Sequence, residues 1–586
     1  MRKRHQAHSR KAEQRDVFIA PMTRIEGHLD IHARADLKAK NFVEAHSYST
    51  MFSGFEIILK GREPADAIWI TQRICGVCPV PHATAAAGAV DMAYQAPPPP
   101  MGIAFRDFVH AAEEMYDSPL IFILVGPDYS QSVVEKLNPD WWKEGKKSKA
   151  ERADVHGYAT IADIMKALNP IAGELWLRSL EIERLGRKMA TLFGAKHPHI
   201  QTFIPGGITQ SVSPDDLEKY AAMLSRQIAY SKEFIPIIDD LCDFLVGLGY
   251  GENGVRPSNL ISFGAYDDPL AYNARYEDMK EWGERRKVTP GVVIDGKLVT
   301  TDLVEINLGI REFIAHSYYD EWAERDVPTD PLGNEVPKDH PWNKETRPKP
   351  GPAKVWDDKY SWCTAPRWHD WKRRIDGGVY ALEAGAVARL WATAAAKKVP
   401  ESTGKSIRFT LPKTPIAGYR VADEVALEWK IPAKVNTLER LRARAYFHSY
   451  SAYVAYNLLL AGLELVKKGE VEVWNPYKRP SAGVGFGPTE AFRGALGHWV
   501  VMRNGKVHRY QVITPSTWNA SPRDADGRLG PYEEAIVGTP ITEVSKDELQ
   551  AVDVVRTVRS FDPCLGCGVH VYVGDRVIVT DINHHH

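Results

Sequence analysis

The order of apolar and polar positions divides the chain into a short strand-rich start and a long helical body. Residues 17–60 read as strands: the second half of IAPMTRIEGHLDIHARADL alternates apolar and polar side chains, the period of a half-buried strand. Ala83–Tyr94 is Ala-rich and helical, and the Pro97–Pro100 run ends it. Helical patterns then dominate, first over 104–124, then over 160–193 with a break at Pro170. SPDDLEKY opens a third that runs to about Leu248, with Ser213 as N-cap, Pro214 at the first helical position and Asp216 where a capping box places Glu or Gln. A fourth starts near Thr437 and ends at Gly469. Long helices with apolar faces predict a mainly α chain (α+β class) with a long-helix bundle core, and 290–312 and 498–514 supply smaller β parts. Residues 320–366, rich in Pro, Trp and charge, read as a long surface insertion. No internal repeat or clean linker breaks the pattern, which favours one large domain.

A chain of 586 residues is long enough for one sizeable core. Its net charge of −1 gives no support for nucleic acid or another polyanion as partner. The basic start MRKRHQAHSRK is not followed by the apolar run of a signal peptide. No uninterrupted apolar stretch of about 18 residues marks a membrane span. These features point to a cytoplasmic or peripherally membrane-associated protein.

Six cysteines in a chain this long do not make a disulfide scaffold. Four of them fall in two C-x-x-C pairs, Cys75 with Cys78 in RICGVCPVPH and Cys564 with Cys567 in DPCLGCGVH. Thiolates are soft ligands, and four of them suit zinc, an iron–sulfur cluster or another thiophilic metal such as nickel. A structural zinc site usually builds a small local module, whereas these pairs sit at opposite ends of the chain. A redox dithiol fits a thioredoxin-like βαβ setting, which surrounds neither pair. On spacing alone both readings stay open.

The flanking residues go further. RICGVCPVPH and DPCLGCGVH resemble the two metal-binding motifs of nickel–iron hydrogenase large subunits. PMTRIEGHLDI, GFEIILKGREPADAIWITQRICGVC, KHPHIQTFIPGGIT, KYSW with APRW, FRGALGHWV, and YQVITPSTWNASPRD with its following GTP resemble family segments in family order, so the resemblance covers essentially the whole chain. GPDYSQ and the long insertions resemble the actinobacterial-type, high-affinity uptake branch.

The resemblance implies a basic tail at 1–16, one large-subunit domain over 17–570, and a C-terminal extension, 571–586, that a maturation endopeptidase removes after His570 once nickel-insertion proteins have loaded the site. It implies a Ni-Fe(CO)(CN)2 centre, with Cys75 and Cys564 as terminal nickel ligands and Cys78 and Cys567 bridging nickel to iron. Glu26 would relay the proton from Cys564. Arg493 would point its guanidinium at the centre, held by Asp128 and Asp562. Pro515 and Ser516 would lie around a cyanide, and His82 would orient the cluster sulfurs. Glu56 and His570, with a backbone carbonyl near Val512, would hold Mg2+. Val77 and Pro127 match positions that line the end of a gas channel, and His498 reads as structural. Phe492 stands where the family usually has proline before the arginine, a departure that bears on oxygen behaviour.

The implied activity is reversible heterolytic oxidation of H2, in the uptake direction. Cys242 and Cys363 are too few to hold an iron–sulfur cluster. Electrons therefore need an obligate iron–sulfur small subunit. The resemblance also allows a dimer of heterodimers, and export with a signal-bearing partner. Two readings compete with it. The related subunit of respiratory complex I is non-catalytic and lacks the four cysteines, and a zinc-stabilised scaffold would bind zinc without gas chemistry.

Overall fold

The alternation near the start of the chain becomes an antiparallel sheet of β1 (Gln14–Ile19), β2 (Leu29–Asp36) and β3 (Asn41–Ser49), in that spatial order. Leu29, Ile31, Ala33, Phe42 and Ala45 form its apolar face and share a core with Tyr532, Ile536, Val554, Val558 and Phe561. The first and the last described segments thus share one apolar core. This computed structural model describes residues 14–322, 324–350, 359–373, 378–544 and 549–565.

The expected long helices form the body. They are α1 (Pro79–Tyr94), α2 (Pro100–Asp117), α3 (Glu174–Gly194), α4 (Pro214–Gly247) and α5 (Thr437–Lys468). α1 starts four residues before the Ala-rich run, because Cys78 takes the N-cap and Pro79 fits the first helical position, where its missing N–H leaves nothing unpaired. The pattern over 104–124 breaks at Ser118–Leu120, where Pro119 shortens the helix to a 3-10 turn before Ile121–Leu124 resumes. Pro170 likewise separates Ile161–Ala167 from α3. Ser213 caps α4, accepting the Asp216 N–H at 3.3 Å, and Gly469 ends α5 in the left-handed region. α2 packs against α3 and α5 and is buried from Met101 to Asp117, so every polar residue it carries must find a partner inside the protein.

Two sequence expectations change in detail. The region 290–312 supplies strands at Gly291–Ile294, Lys297–Thr300 and Ile310–Phe313, but Leu303–Gly309 is a helix. Asp302 nucleates it by accepting the N–H groups of Val304 and Glu305 at 2.9 and 3.4 Å. The insertion at 320–366 is not confined to the surface. Trp322, Trp342 and Tyr360 are buried, and the Trp342 indole donates to the Gly485 carbonyl at 2.9 Å. These three aromatic residues form part of the core's wall.

A second antiparallel sheet, β4 (Gly483–Ala491), β5 (Gly494–Arg503) and β6 (Lys506–Ile513), lies against α1. Small residues on both surfaces allow near-contact of the two backbones. A Cβ on Gly485 would sit 1.9 Å from the Ala89 carbonyl oxygen, and one on Gly487 1.8 Å from that of Ala85. No helix among the described residues is long and apolar enough to cross a membrane.

That close approach predicts that Gly487→Ala forces α1 and β4 apart and costs about 3 kcal/mol, the upper part of the range for overpacking. A melting curve for the variant checks this, and a transition as high as the parent's would contradict it.

Candidate metal centre

Two chain segments meet at a short parallel bridge. The Glu26 N–H donates to the Pro563 carbonyl at 3.1 Å, and the Leu565 N–H donates back to the Glu26 carbonyl at 2.7 Å. Glu26 is thereby registered beside Cys564, and the Cys564 thiol donates to Glu26 Oε2 at 3.1 Å. Ser516, in the short helix Pro515–Asn519, accepts the Cys564 N–H on its hydroxyl at 2.9 Å. Pro515 opens that helix after the Thr514 cap, and both Pro515 and Ser516 are buried.

The other pair sits where a 3-10 turn, Thr71–Ile74, gives way to α1. Cys75 Sγ accepts the N–H groups of Val77 and Cys78 at 3.3 and 3.1 Å, contacts that favour a thiolate. Cys78 lies at the N-cap of α1, where the helix dipole also favours negative charge.

The sulfur of Cys564 lies 3.2 Å from that of Cys75 and 3.7 Å from that of Cys78. Among the described residues these three make the one group of three or more metal-type ligands, and all are buried. Metal–sulfur bonds of ~2.3 Å opening at about 90–110° would set sulfurs at such separations. The donor set therefore fits a thiophilic metal. Cys567 and His570 lie outside the described residues. Val77 packs on the three cysteines, and Pro127 is buried in the turn Gly126–Tyr129.

Opposite the thiols is Arg493, in the two-residue turn between β4 and β5. It is 2% exposed. Its Nη1 and Nη2 reach the two carboxylate oxygens of Asp117 at 2.9 and 3.5 Å, and its Nη2 lies 3.3 Å from Asp562. Burial disfavours its charge, but the two carboxylates and the nearby thiols outweigh burial and hold its pKa well above the ordinary value. Burial pushes Asp117 upward, with Arg493 pulling the other way.

The expected partner Asp128 is not part of this arrangement. Its carboxylate takes Arg559 at 2.7 and 2.9 Å together with Arg24, and its carbonyl takes Arg556 at 2.7 Å. Arg559 also donates to the Thr23 carbonyl. Asp128 therefore clamps the segment leading to Glu26 onto the helix leading to Cys564, and Asp117 occupies the role expected of it. Asp117 is the residue that sequence reasoning missed. An acidic side chain in the last turn of a helix opposes the helix dipole, and that was the available signal.

His82, in the first turn of α1, shares a hydrogen bond with His498 through Nδ1 at 3.1 Å, and His498 Nδ1 meets the Tyr510 hydroxyl at 2.7 Å. Burial depresses the pKa of His82 to about 4 and that of His498 well below normal, so the pair is neutral. On the far side of Cys564 lies a cavity of about 70 Å³, lined in part by Glu56, Glu312, Cys363, Val512 and Ser516. Burial raises both Glu56 and Glu312 to about 7.

The nickel-dependent hydrogenase family model matches this chain over residues 53–167 and 155–570. A periplasmic [NiFeSe] hydrogenase large subunit of Desulfomicrobium baculatum is 30% identical over 95% of each chain. An uptake hydrogenase large subunit of Rhizobium leguminosarum bv. viciae is 28% identical over 95% of this chain and 96% of its own. The structure of an actinobacterial-type NiFe-hydrogenase from Ralstonia eutropha H16 superposes with a TM-score of 0.92 at 40% identity, covering 95% of this chain and all of the other.

The buried carboxyls make a pH prediction. Glu56 and Glu312 have folded pKa values raised to about 7, so folding takes up protons between their unfolded values and that pH. Their stabilising contribution is complete below about pH 4.5 and is lost as pH rises through about 7. The melting temperature of the metal-free chain should fall from about pH 5 to about pH 8, and Glu56→Gln or Glu312→Gln should flatten that slope. Calorimetry across this range measures both.

Proposed function

The chain belongs to the nickel-dependent hydrogenase family as a large subunit, an oxidoreductase acting on H2, and from that premise we infer which of its residues carry the reaction. The observation that carries the reading is the convergence of Cys75, Cys78 and Cys564 on one buried point, with Glu26 on one side and Arg493 on the other. Cys75, Cys78, Cys564 and Cys567 would hold the nickel–iron centre through their thiolates. When bound, that centre supplies the Lewis acid and the electron acceptor for heterolytic cleavage of H2.

The remaining chemistry belongs to the chain. Cys564 Sγ takes the proton released beside it, and Glu26 Oε2, 3.1 Å away, receives it and carries it outward. Arg493 presents a fixed positive charge to the pocket, and the carboxylates of Asp117 and Asp562 prevent it from swinging. Ser516 fixes the backbone of Cys564. Together with Pro515 and Arg493 it would surround the CO and CN ligands of the iron. The neutral His82–His498–Tyr510 chain keeps the wall beside Cys75 and Cys78 uncharged and fixed in position.

Glu56 and Val512 line the same cavity, and with His570 they would take Mg2+. Hydrogenase large subunits work as heterodimers with a small subunit, and Cys242, packed in the α4–α5 region, and Cys363, at the cavity, belong to separate apolar clusters and are too few to hold an iron–sulfur cluster. The iron–sulfur small subunit therefore receives the electrons. Removal of 571–586 after His570, help from nickel-insertion proteins, uptake direction, high affinity for H2 and a dimer of heterodimers complete the proposal.

The test uses the processed chain purified with its small subunit. Elemental analysis should find about one nickel per chain, and the infrared spectrum should carry CO and CN stretches. Zinc alone, with no such stretches in a chain ending at His570, would overturn the reading. Cys564→Ser should lose nickel and activity. Arg493→Lys should keep the metal and lose on the order of 10²-fold in rate, because an ammonium cannot reproduce the planar fork. Asp117→Asn should resemble it. Asp128→Asn should instead lower the melting temperature, since it leaves the buried Arg559 without its carboxylate.

A further inference from the structure

Asp562 is shared by two guanidinium groups. Arg493 Nη2 lies 3.3 Å from its Oδ2, but Arg444 Nη2 lies closer to the same oxygen, at 2.7 Å. Arg444 projects from α5 and is 4% exposed. It also stands 4.9 Å from the centre of the Phe492 ring, and Arg493 stands 5.5 Å from it. Phe492, the residue found where the family usually has proline, is therefore packed against two cations. A third arginine, Arg389, holds the backbone of the same turn, donating to the carbonyls of Ala491 and Phe492 at 2.5 and 2.6 Å.

Arg444 has donors to spare. Its Nε and Nη1 are buried and have no hydrogen-bond partner among the described residues, and neither has Nε of Arg493. Beside them is a cavity of about 20 Å³, lined by Arg440, Arg444, Phe492, Arg493, Ser560 and Asp562 among others. That volume holds one water, and donors of this kind are what an ordered buried water satisfies. Arg440 is committed elsewhere, to Glu383 at 2.8 and 3.0 Å.

We propose that Arg444 is a positioning residue for the reaction. By taking the nearer contact to Asp562 and covering one face of Phe492, with one water in the adjoining cavity, it sets where the Arg493 guanidinium points. The two guanidinium groups compete for Asp562. While Arg444 holds Asp562, the shortest contact of Arg493 is the one from Nη1 to Asp117, at 2.9 Å, and its Nη2 stays 3.3 Å from Asp562. Without Arg444, Asp562 has a single cation to attract, and Arg493 swings toward it and away from the thiols. The two arginines and two carboxylates also balance in charge, and losing one cation leaves a buried excess of negative charge.

This inference rests on the role assigned above to Arg493, so the test includes both residues. Arg444→Met, Arg444→Lys and Arg493→Met are compared with the parent, each metal-loaded and bound to the small subunit. The readouts are kcat, KM for H2 and the CO and CN infrared frequencies. Arg444→Met should lower kcat on the order of 10²-fold, as expected for a displaced catalytic group, and should shift the infrared bands, with KM little changed. Arg444→Lys should fall between parent and Met, since it keeps the ion pair but not the planar stack on Phe492. If Arg444→Met kept the parent's kcat and frequencies while Arg493→Met lost them, the inference would fail and the reading of Arg493 would stand. Parent-like behaviour of Arg493→Met would sink that reading first. Where Arg444→Met does not accumulate as a folded heterodimer, Arg444→Lys decides, and parent-like values in both readouts overturn the proposal.

Discussion

Sulfur atoms 489 positions apart in sequence must be held 3.2 Å apart in space. Closing a loop of that length costs ~5 kcal/mol in chain entropy beyond a constant, and the metal-free thiols offer little to offset it. The body of the protein meets that cost elsewhere. β2 and β3 share an apolar core with the helix that precedes Cys564, and Asp128 ties that helix to the segment before Glu26 through Arg559 and Arg24. α1, which carries Cys78 at its cap, is pressed backbone to backbone on β4, which leads to Arg493. Each chemical group is placed by an element whose packing has nothing to do with metal.

The two sides of the pocket solve the problem of burying polarity differently. Beside Cys75 and Cys78, burial keeps His82 and His498 neutral, so that wall takes hydrogen bonds without charge. Opposite, full charges are kept, but in balance: Arg493 and Arg444 against Asp117 and Asp562. A group that must feel a developing charge needs a fixed field close by, and a group that only needs orienting does better without one.

Much of this was legible in the chain. The capped helices at Ser213 and Thr437 lie within a residue or two of their expected ends, because caps and prolines act locally. That Cys75, Cys78, Cys564, Glu26, Arg493 and Asp562 belong together was readable because each sits in a short contiguous motif. Asp128 and Asp117 were not distinguishable that way. Both are acidic residues near a proline, and which one meets Arg493 depends on how α2 ends against the β4–β5 turn. Arg444 was illegible for the same reason: in a helix rich in arginine, only packing says which one faces inward. The helix at Leu303–Gly309 hid inside a β-like apolar run because one capping aspartate outweighed the pattern.

The parallel bridge at Glu26 has a consequence for the order of assembly. Two backbone hydrogen bonds and the Ser516 contact fasten Cys564 to its neighbours, with Asp562 just before it paired to Arg444 and Arg493 and Leu565 just after it buried in the apolar core. In a chain synthesised from its N-terminus, Cys75 emerges 489 positions before Cys564, so the bridge at Glu26 closes the pocket only after its other walls have been made.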